Sequence, residues 1–401
     1  MLNEAISYFT EEKKIMACLS VTCGDAGHET HAMGGYTDRS GTAVGDDSIY
    51  DIASLTKLCT ALTVMRLHEE GAIDLQAPAV QYAPQYGALG GVTVDQLLGF
   101  EVLLTTPERI DTQPDRGAGL RQLRAVEARP HGANRYYSDM HAMVLGEVIE
   151  GASGMRLEDC MRRCIFAPLG MNDTTASVPD EKRERCVSCD GEHRIERGRY
   201  IVRSGIAKGE PHDPKARLLS PDGKHLCGHA GLFSTRGDLT KLCQGMLAEK
   251  IVSRESLRAM ARNRMGRRLP DGSWAQYLGS QCYVKHPNQY FSEIPVYMSD
   301  QAIGLSGFTG HHLSVDPETG IFVVCLGNRV LDRLTVLVPE NGRTIADYGL
   351  NDDGAGQICW PDGTMVYSSV DYVHQKDRQL HARIARLLGL PVWRQAGSEW
   401  P

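Results

Sequence analysis

Residues 51–75 read DIASLTKLCTALTVMRLHEEGAIDL. A strand-like run, SIYDI, passes here into a helix along which Leu58, Leu62, Met65 and Leu67 form an approximate apolar stripe, and Gly71 ends it. Ser54 and Lys57 sit three apart near the helix start, so they share one face. A serine hydroxyl is a weak nucleophile at neutral pH and needs a base beside it. The positive end of a helix favours a developing oxyanion and an uncharged amine. The expectation is that a desolvated, neutral Lys57 takes the Ser54 proton. The four letters alone are a weak signal, more readily read as a serine cap followed by a solvated lysine, so context has to decide.

The context is specific. The string from Ile49 to Gln85, with its trailing EEGAIDLQAPAVQYAP, resembles the serine beta-lactamase-like family: class C beta-lactamases, DD-peptidases and related esterases, all built on Ser-x-x-Lys. A second family motif follows at Tyr137-Ser138-Asp139, then LGEVIEGASG. The resemblance implies that Tyr137 relays protons between Ser54 and a leaving group, and that Asp139 hydrogen-bonds near Lys57 or a substrate amide. The third motif aligns at Leu305-Ser306-Gly307, inside AIGLSGFTGHHLSVDPETG. It implies an edge strand lining the site, with backbone N–H groups of Ser54 and Phe308 as the oxyanion hole, Gly307 allowing close approach, and Ser306 toward substrate.

The chain also departs from the family. Leu305 stands where the pattern has Lys or His, which puts recognition of a substrate carboxylate in doubt. His311 and His312, just beyond, read as ordinary strand residues. VDQLLGFEVLLTTPERID replaces the usual His-Thr-Ser-Gly segment and implies altered access to the cleft. CGHAGLFST and GEPHDPKARLL resemble the esterase and DD-peptidase branch, the latter its V-H-D-x-N-A segment, with His212, Asp213 and His229 expected to bind one another and brace the site wall. The resemblance covers about residues 15–330 and the final helix; residues 331–375 match nothing in it.

Bulk properties agree with an enzyme of small molecules. The 401 residues are 42% hydrophobic and 23% charged, with net charge −7, which argues against nucleic acid or an anionic membrane as partner. No run approaches about 18 apolar residues. The first residues, MLNEAISYFTEEKK, do not read as a secretory signal, and the 12 cysteines, often inside apolar runs, read as reduced core thiols; both point to the cytoplasm. Cys186, Cys189 and His193, with His225, Cys227 and His229, are metal-ligand types at short spacing. The reading nevertheless assigns no metal and no cofactor.

Strand patterns lie near both ends: KIMACLSVTCG, HETHAMGGYTDR, HHLSVDP and GIFVVCLGNR, with a hairpin at Asp362-Gly363. Helical patterns fill the middle (93–99, 138–151, 155–166), and 179–199 reads as a charged surface excursion. The expected fold is α/β: an antiparallel sheet flanked by helices, formed by 1–82 and 230–401, with 83–229 as a mostly helical insertion. The expected function is a serine hydrolase acting through an acyl-enzyme on a small ester or amide, an esterase or amidase rather than a beta-lactamase. The alternatives are an acyltransferase using the same intermediate and a catalytically silent ligand-binding relative.

Overall fold

The structure, a computed structural model, describes residues 1–390 except 26, 132–135, 197, 290–291, 339–350, 353–356 and 360–364. Its centre is a six-stranded, wholly antiparallel sheet in the order Glu29–Gly35, Cys18–Gly24, Ile321–Gly327, His311–Asp316, Ile303–Gly307, Tyr283–Val284. Cys18–Gly24 and Ile321–Gly327 are buried along their whole length. Such strands must be covered on both faces, which explains their continuous apolar runs. One face packs on the helix Thr56–Glu69 and its neighbours, which form the main core with Leu305, Leu313 and Val324. The other face is covered by the first helix, Leu2–Ser7, and by the closing helical segments through Ala382–Leu387, around Phe9, Val21, Val323 and Ile384.

The helix Thr56–Glu69 is buried nearly all round rather than along one stripe. It therefore has to satisfy its own polar side chains. Thr60 donates to the Gly228 carbonyl at 2.7 Å and Thr63 to Cys59 at 2.8 Å. Next to it runs the helix Asp139–Ser153, capped by Ser138, whose hydroxyl accepts from the Met140 N–H. Thr235 caps the helix Arg236–Leu247, accepting from the Asp238 N–H at 3.2 Å.

Two readings of the sequence change. Inside the stretch expected to be mostly helical, Glu192–Glu196 and Arg199–Arg203 form a strand pair. Glu192–Glu196 also runs parallel to Arg333–Val338, so part of the charged excursion and the unmatched extension join in a second six-stranded sheet. Glu192 and Ile195 are buried there. The reason is tertiary: a long-range partner covers a strand whose own letters look like solvated surface. In the same sheet Gln357–Cys359 and Met365–Ser368 pair antiparallel, while the Asp362-Gly363 turn between them lies outside the described residues. Among the described residues no helix is long and apolar enough to cross a membrane.

Gly151 lets the helix Asp139–Ser153 approach its neighbour: a Cβ there would lie 1.8 Å from the Tyr82 carbonyl oxygen. Gly151→Ala is expected to cost about 3 kcal/mol through overpacking. Urea unfolding of the two proteins checks this.

Candidate active site

Ser54 lies in a single 3-10 turn, Ala53–Leu55, directly before the helix Thr56–Glu69. The preceding residue, Ala53, has φ +45°, a conformation costly for a residue with a Cβ. Asp51 supports this turn. Its carboxylate accepts from the Ala53 N–H at 2.9 Å and the His212 N–H at 2.6 Å. Its carbonyl accepts from the Thr309 hydroxyl at 2.9 Å and His311 Nε2 at 2.6 Å. One buried residue thus ties the serine turn to the loop at 212 and to the turn after Ile303–Gly307, which is not the edge strand expected but the strand next to the edge, because Tyr283–Val284 pairs with Ile303 and Gly304. Gly307 closes the approach, since a Cβ on it would stand 2.8 Å from the Ile52 carbonyl oxygen.

Lys57 has no exposed side-chain surface. Its Nζ donates to Ser54 Oγ at 2.9 Å and to the His229 carbonyl at 3.1 Å, and it pairs with Asp139 Oδ1 at 2.8 Å. Three acceptors match the three hydrogens of an ammonium. Burial pulls the proton affinity of Lys57 down, but the Asp139 carboxylate and the Tyr137 phenol outweigh it, so its pKa is raised. The expectation of an uncharged resting amine is therefore replaced by a charged one. The cause is the carboxylate at position 139, which itself is held well below the usual range: burial opposes its charge, and Lys57 and Lys215 more than offset that.

Tyr137 carries its ring 4.9 Å from Lys57 Nζ, between Phe100 at 5.5 Å and Tyr283 at 5.8 Å. Its backbone N–H donates to Gln276 at 3.1 Å. Phe100 belongs to the segment that departs from the family pattern, so the altered segment supplies an apolar wall against the phenol. The structure thus brings Ser54, Lys57, Tyr137 and Asp139 into one cluster.

The third motif divides between two faces of its strand. Leu305 is fully buried in the main core. Ser306 points the other way: its hydroxyl donates to Glu293 at 2.9 Å and lies 3.2 Å from His312 Nδ1, beside the buried Lys376. Phe308 is half-buried and stacks on His212 at 5.5 Å, with Arg194 and Arg329 over its ring. His311 and His312 are buried. His311 is pushed down to about 4 by burial, and its Nδ1 accepts from the Gly327 N–H, which fixes it as a neutral brace under Asp51.

The expected trio of His212, Asp213 and His229 separates. His229 Nε2 pairs with Asp213 at 2.9 Å, whereas His212 pairs with Glu192 at 2.9 Å. Burial works against the Glu192 charge, but His212, Thr335 and Arg194 hold its carboxyl down at about 2. Sequence reasoning missed Glu192, Asp51 and Lys215. Only Asp51, three residues before the serine, carried a local signal. The sulfur–imidazole set is not gathered. Cys186 and Cys189 turn their thiols to the Lys182 and Val187 carbonyls at 3.9 Å, and His193 lies against Tyr200. Among the described residues the one group of three ligand types within 4.8 Å is Asp139, Asp213 and His229, where Lys57 and Lys215 already supply the positive charge.

Comparison with known proteins bears on family and fold. A family model described as Beta-lactamase matches residues 10–342. A putative D-alanyl-D-alanine carboxypeptidase of Salmonella agona (strain SL483) is 27% identical over 326 residues, 71% of this chain and 70% of that protein. Among solved structures, EstCE1, a hydrolase with promiscuous acyltransferase activity, superposes with TM-score 0.66 at 17% identity, covering 95% of this chain and 97% of its own. Simvastatin synthase LovD of Aspergillus terreus, in a mutant form, gives 0.64 at 15% identity, covering 96% and 95%. The last two likenesses establish a shared fold.

Replacing Asp139 by Asn leaves burial as the main influence on Lys57, so its pKa falls below the ordinary 10.5. The pH profile of Ser54 modification in Asp139→Asn is expected to gain a lysine ionisation below 10.5 that the wild type lacks. Leu305→Lys, which restores the family's cation inside the core, is expected to destabilise by about 3–5 kcal/mol as an unpaired buried charge. Chemical denaturation measures it.

Proposed function

This chain belongs to the beta-lactamase family, and from that premise we propose that it is a serine hydrolase that forms an acyl-enzyme at Ser54 from an ester or amide. The observation that carries the reading is the saturated ammonium: Lys57 donates to Ser54 Oγ at 2.9 Å while Asp139 holds its charge. An ammonium with three acceptors has no lone pair for the Ser54 proton. Tyr137 in its phenolate form, with the oxygen held against Lys57, is then the group that takes it and becomes the neutral phenol. Ser54 Oγ attacks the substrate carbonyl, and the backbone N–H groups of Ser54 and Phe308 receive the oxyanion. The proton passes from Tyr137 to the leaving alcohol or amine. Water, deprotonated in turn by Tyr137, attacks the acyl-enzyme ester; as the acid leaves, the proton passes from Tyr137 to Ser54 Oγ and restores the free serine. Asp139 keeps Lys57 charged and in place, and Gly307 lets the substrate lie close along the end of the strand Ile303–Gly307.

Within that class an esterase or amidase on small acyl substrates fits better than a beta-lactamase. Leu305 gives no charge for a substrate carboxylate, and the Ser306 hydroxyl is engaged by Glu293. The proposed partners are small-molecule acyl donors, not nucleic acid or membranes, and the chemistry calls for no metal or organic cofactor. Transfer of the acyl group to an alcohol or amine is the second reading, favoured where the apolar wall of Phe100 and Tyr283 excludes water.

Intact-mass measurement across p-nitrophenyl esters, a cephalosporin and D-amino-acid peptides tests both readings. Short-chain esters are expected to give an acyl adduct that disappears in Ser54→Ala. Tyr137→Phe should lower the acylation rate about 100-fold or more, as loss of a general base does. A folded wild type that no ester and no fluorophosphonate labels would leave only a binding protein.

A further inference from the structure

Lys215 is the one group in the cluster that neither the mechanism nor the family motifs use. The segment His212-Asp213-Pro214-Lys215-Ala216 resembles a pattern with Asn in the place of Lys215, so this chain sets a charge where a neutral amide is expected. The short helix Pro214–Leu219 fixes it there: Asp213 caps the helix by accepting from the Ala216 N–H at 2.9 Å, and Pro214 starts it. Lys215 Nζ then reaches Asp139 Oδ2 at 3.0 Å and Asp213 Oδ2 at 3.5 Å. The Asp139 carboxylate is thereby shared, one oxygen to Lys57 at 2.8 Å and the other to Lys215.

We propose that Lys215 is a positioning residue that, through the shared carboxylate of Asp139, orients Lys57 and limits how much negative charge Lys57 and Tyr137 experience. The proposal rests on the acyl-enzyme reading above. Its physical content is a charge count. Lys57 and Lys215 balance Asp139 and Asp213 across the floor of the site. Without Lys215 the floor carries an unbalanced negative charge a few ångströms from the reacting oxygen, and Asp139 loses the bond that sets its rotamer. The groups facing this floor are Ser54, Tyr137 and the His229 carbonyl around Lys57; His229 and Asp213 around Asp139; and Asp111 and Asp213 around Lys215. Of the three charged floor residues that reach solvent, Lys215 is 22% exposed, Asp139 29% and Asp213 23%. The balance is therefore struck among partly exposed groups, where screening is incomplete.

The test compares wild type, Lys215→Met, Lys215→Arg and Lys215→Met in an Asp139→Asn background. The rate constant for fluorophosphonate labelling of Ser54 is measured from pH 5 to 10. Removing one positive charge makes each proton in the cluster harder to lose. In Lys215→Met the acid limb is expected to move to higher pH by about 0.5–1 unit, with roughly a 10-fold slower plateau. Lys215→Arg should restore the limb. In the Asp139→Asn background Lys215→Met should no longer slow the plateau, because the route through the carboxylate is gone. A uniform loss with the limb unmoved, or no change at all, overturns the proposal. A second readout needs no turnover: the Asp139 carboxyl carbon, followed by NMR, should titrate about 0.5–1 unit higher in Lys215→Met. If the wild type is not labelled at any pH, the acyl-enzyme reading falls. The carboxyl titration then still decides Lys215: an unshifted Asp139 refutes the coupling.

Discussion

A lysine ammonium with no exposed surface is the constraint around which the site is arranged. Taking such a charge out of water costs several kcal/mol unless partners replace its hydration. Here the replacement is complete: a hydroxyl, a carbonyl and a carboxylate take the three N–H groups of Lys57. Each partner comes from a different part of the chain, the serine turn, the loop at 229 and the start of the helix Asp139–Ser153. Satisfying one ammonium therefore fixes the relative positions of three segments. It also puts Ser54 Oγ where it accepts a hydrogen bond from Lys57 Nζ.

A second hub, Asp51, does for the backbone what Lys57 does for the side chains. Its burial favours the neutral acid and raises its pKa, against the two N–H donors that favour the carboxylate. Through it the strained Ala53, the loop at 212 and the turn at 309–311 hold one another in place. The positive φ at Ala53 persists because its surroundings over-determine it.

The departures from the family pattern share a physical logic. Leu305 removes a charge from the face that packs on the helix Thr56–Glu69, and the core closes over it. Phe100 brings an apolar ring against Tyr137 where the family has a polar turn. Lys215 adds a charge beside Asp139. A cation thus stands on the helix Pro214–Leu219, paired with Asp139, and none at position 305.

The sequence by itself determined the central strands, the serine helix and the pairing of Ser54 with Lys57, because these follow from local periodicity and from spacings of three residues on one helix. It also located Tyr137 and Asp139, through motifs whose order along the chain can be read directly. It did not determine the protonation of Lys57, the split between His212 and His229, or the second sheet that joins residues 192–203 to 333–338. Tertiary structure alone decided these. A charge state depends on which groups stand within about 4–6 Å, and a strand that reads as solvated surface becomes core once a partner more than 130 residues away covers it. Both are facts of distance in space, which spacing along the chain does not encode.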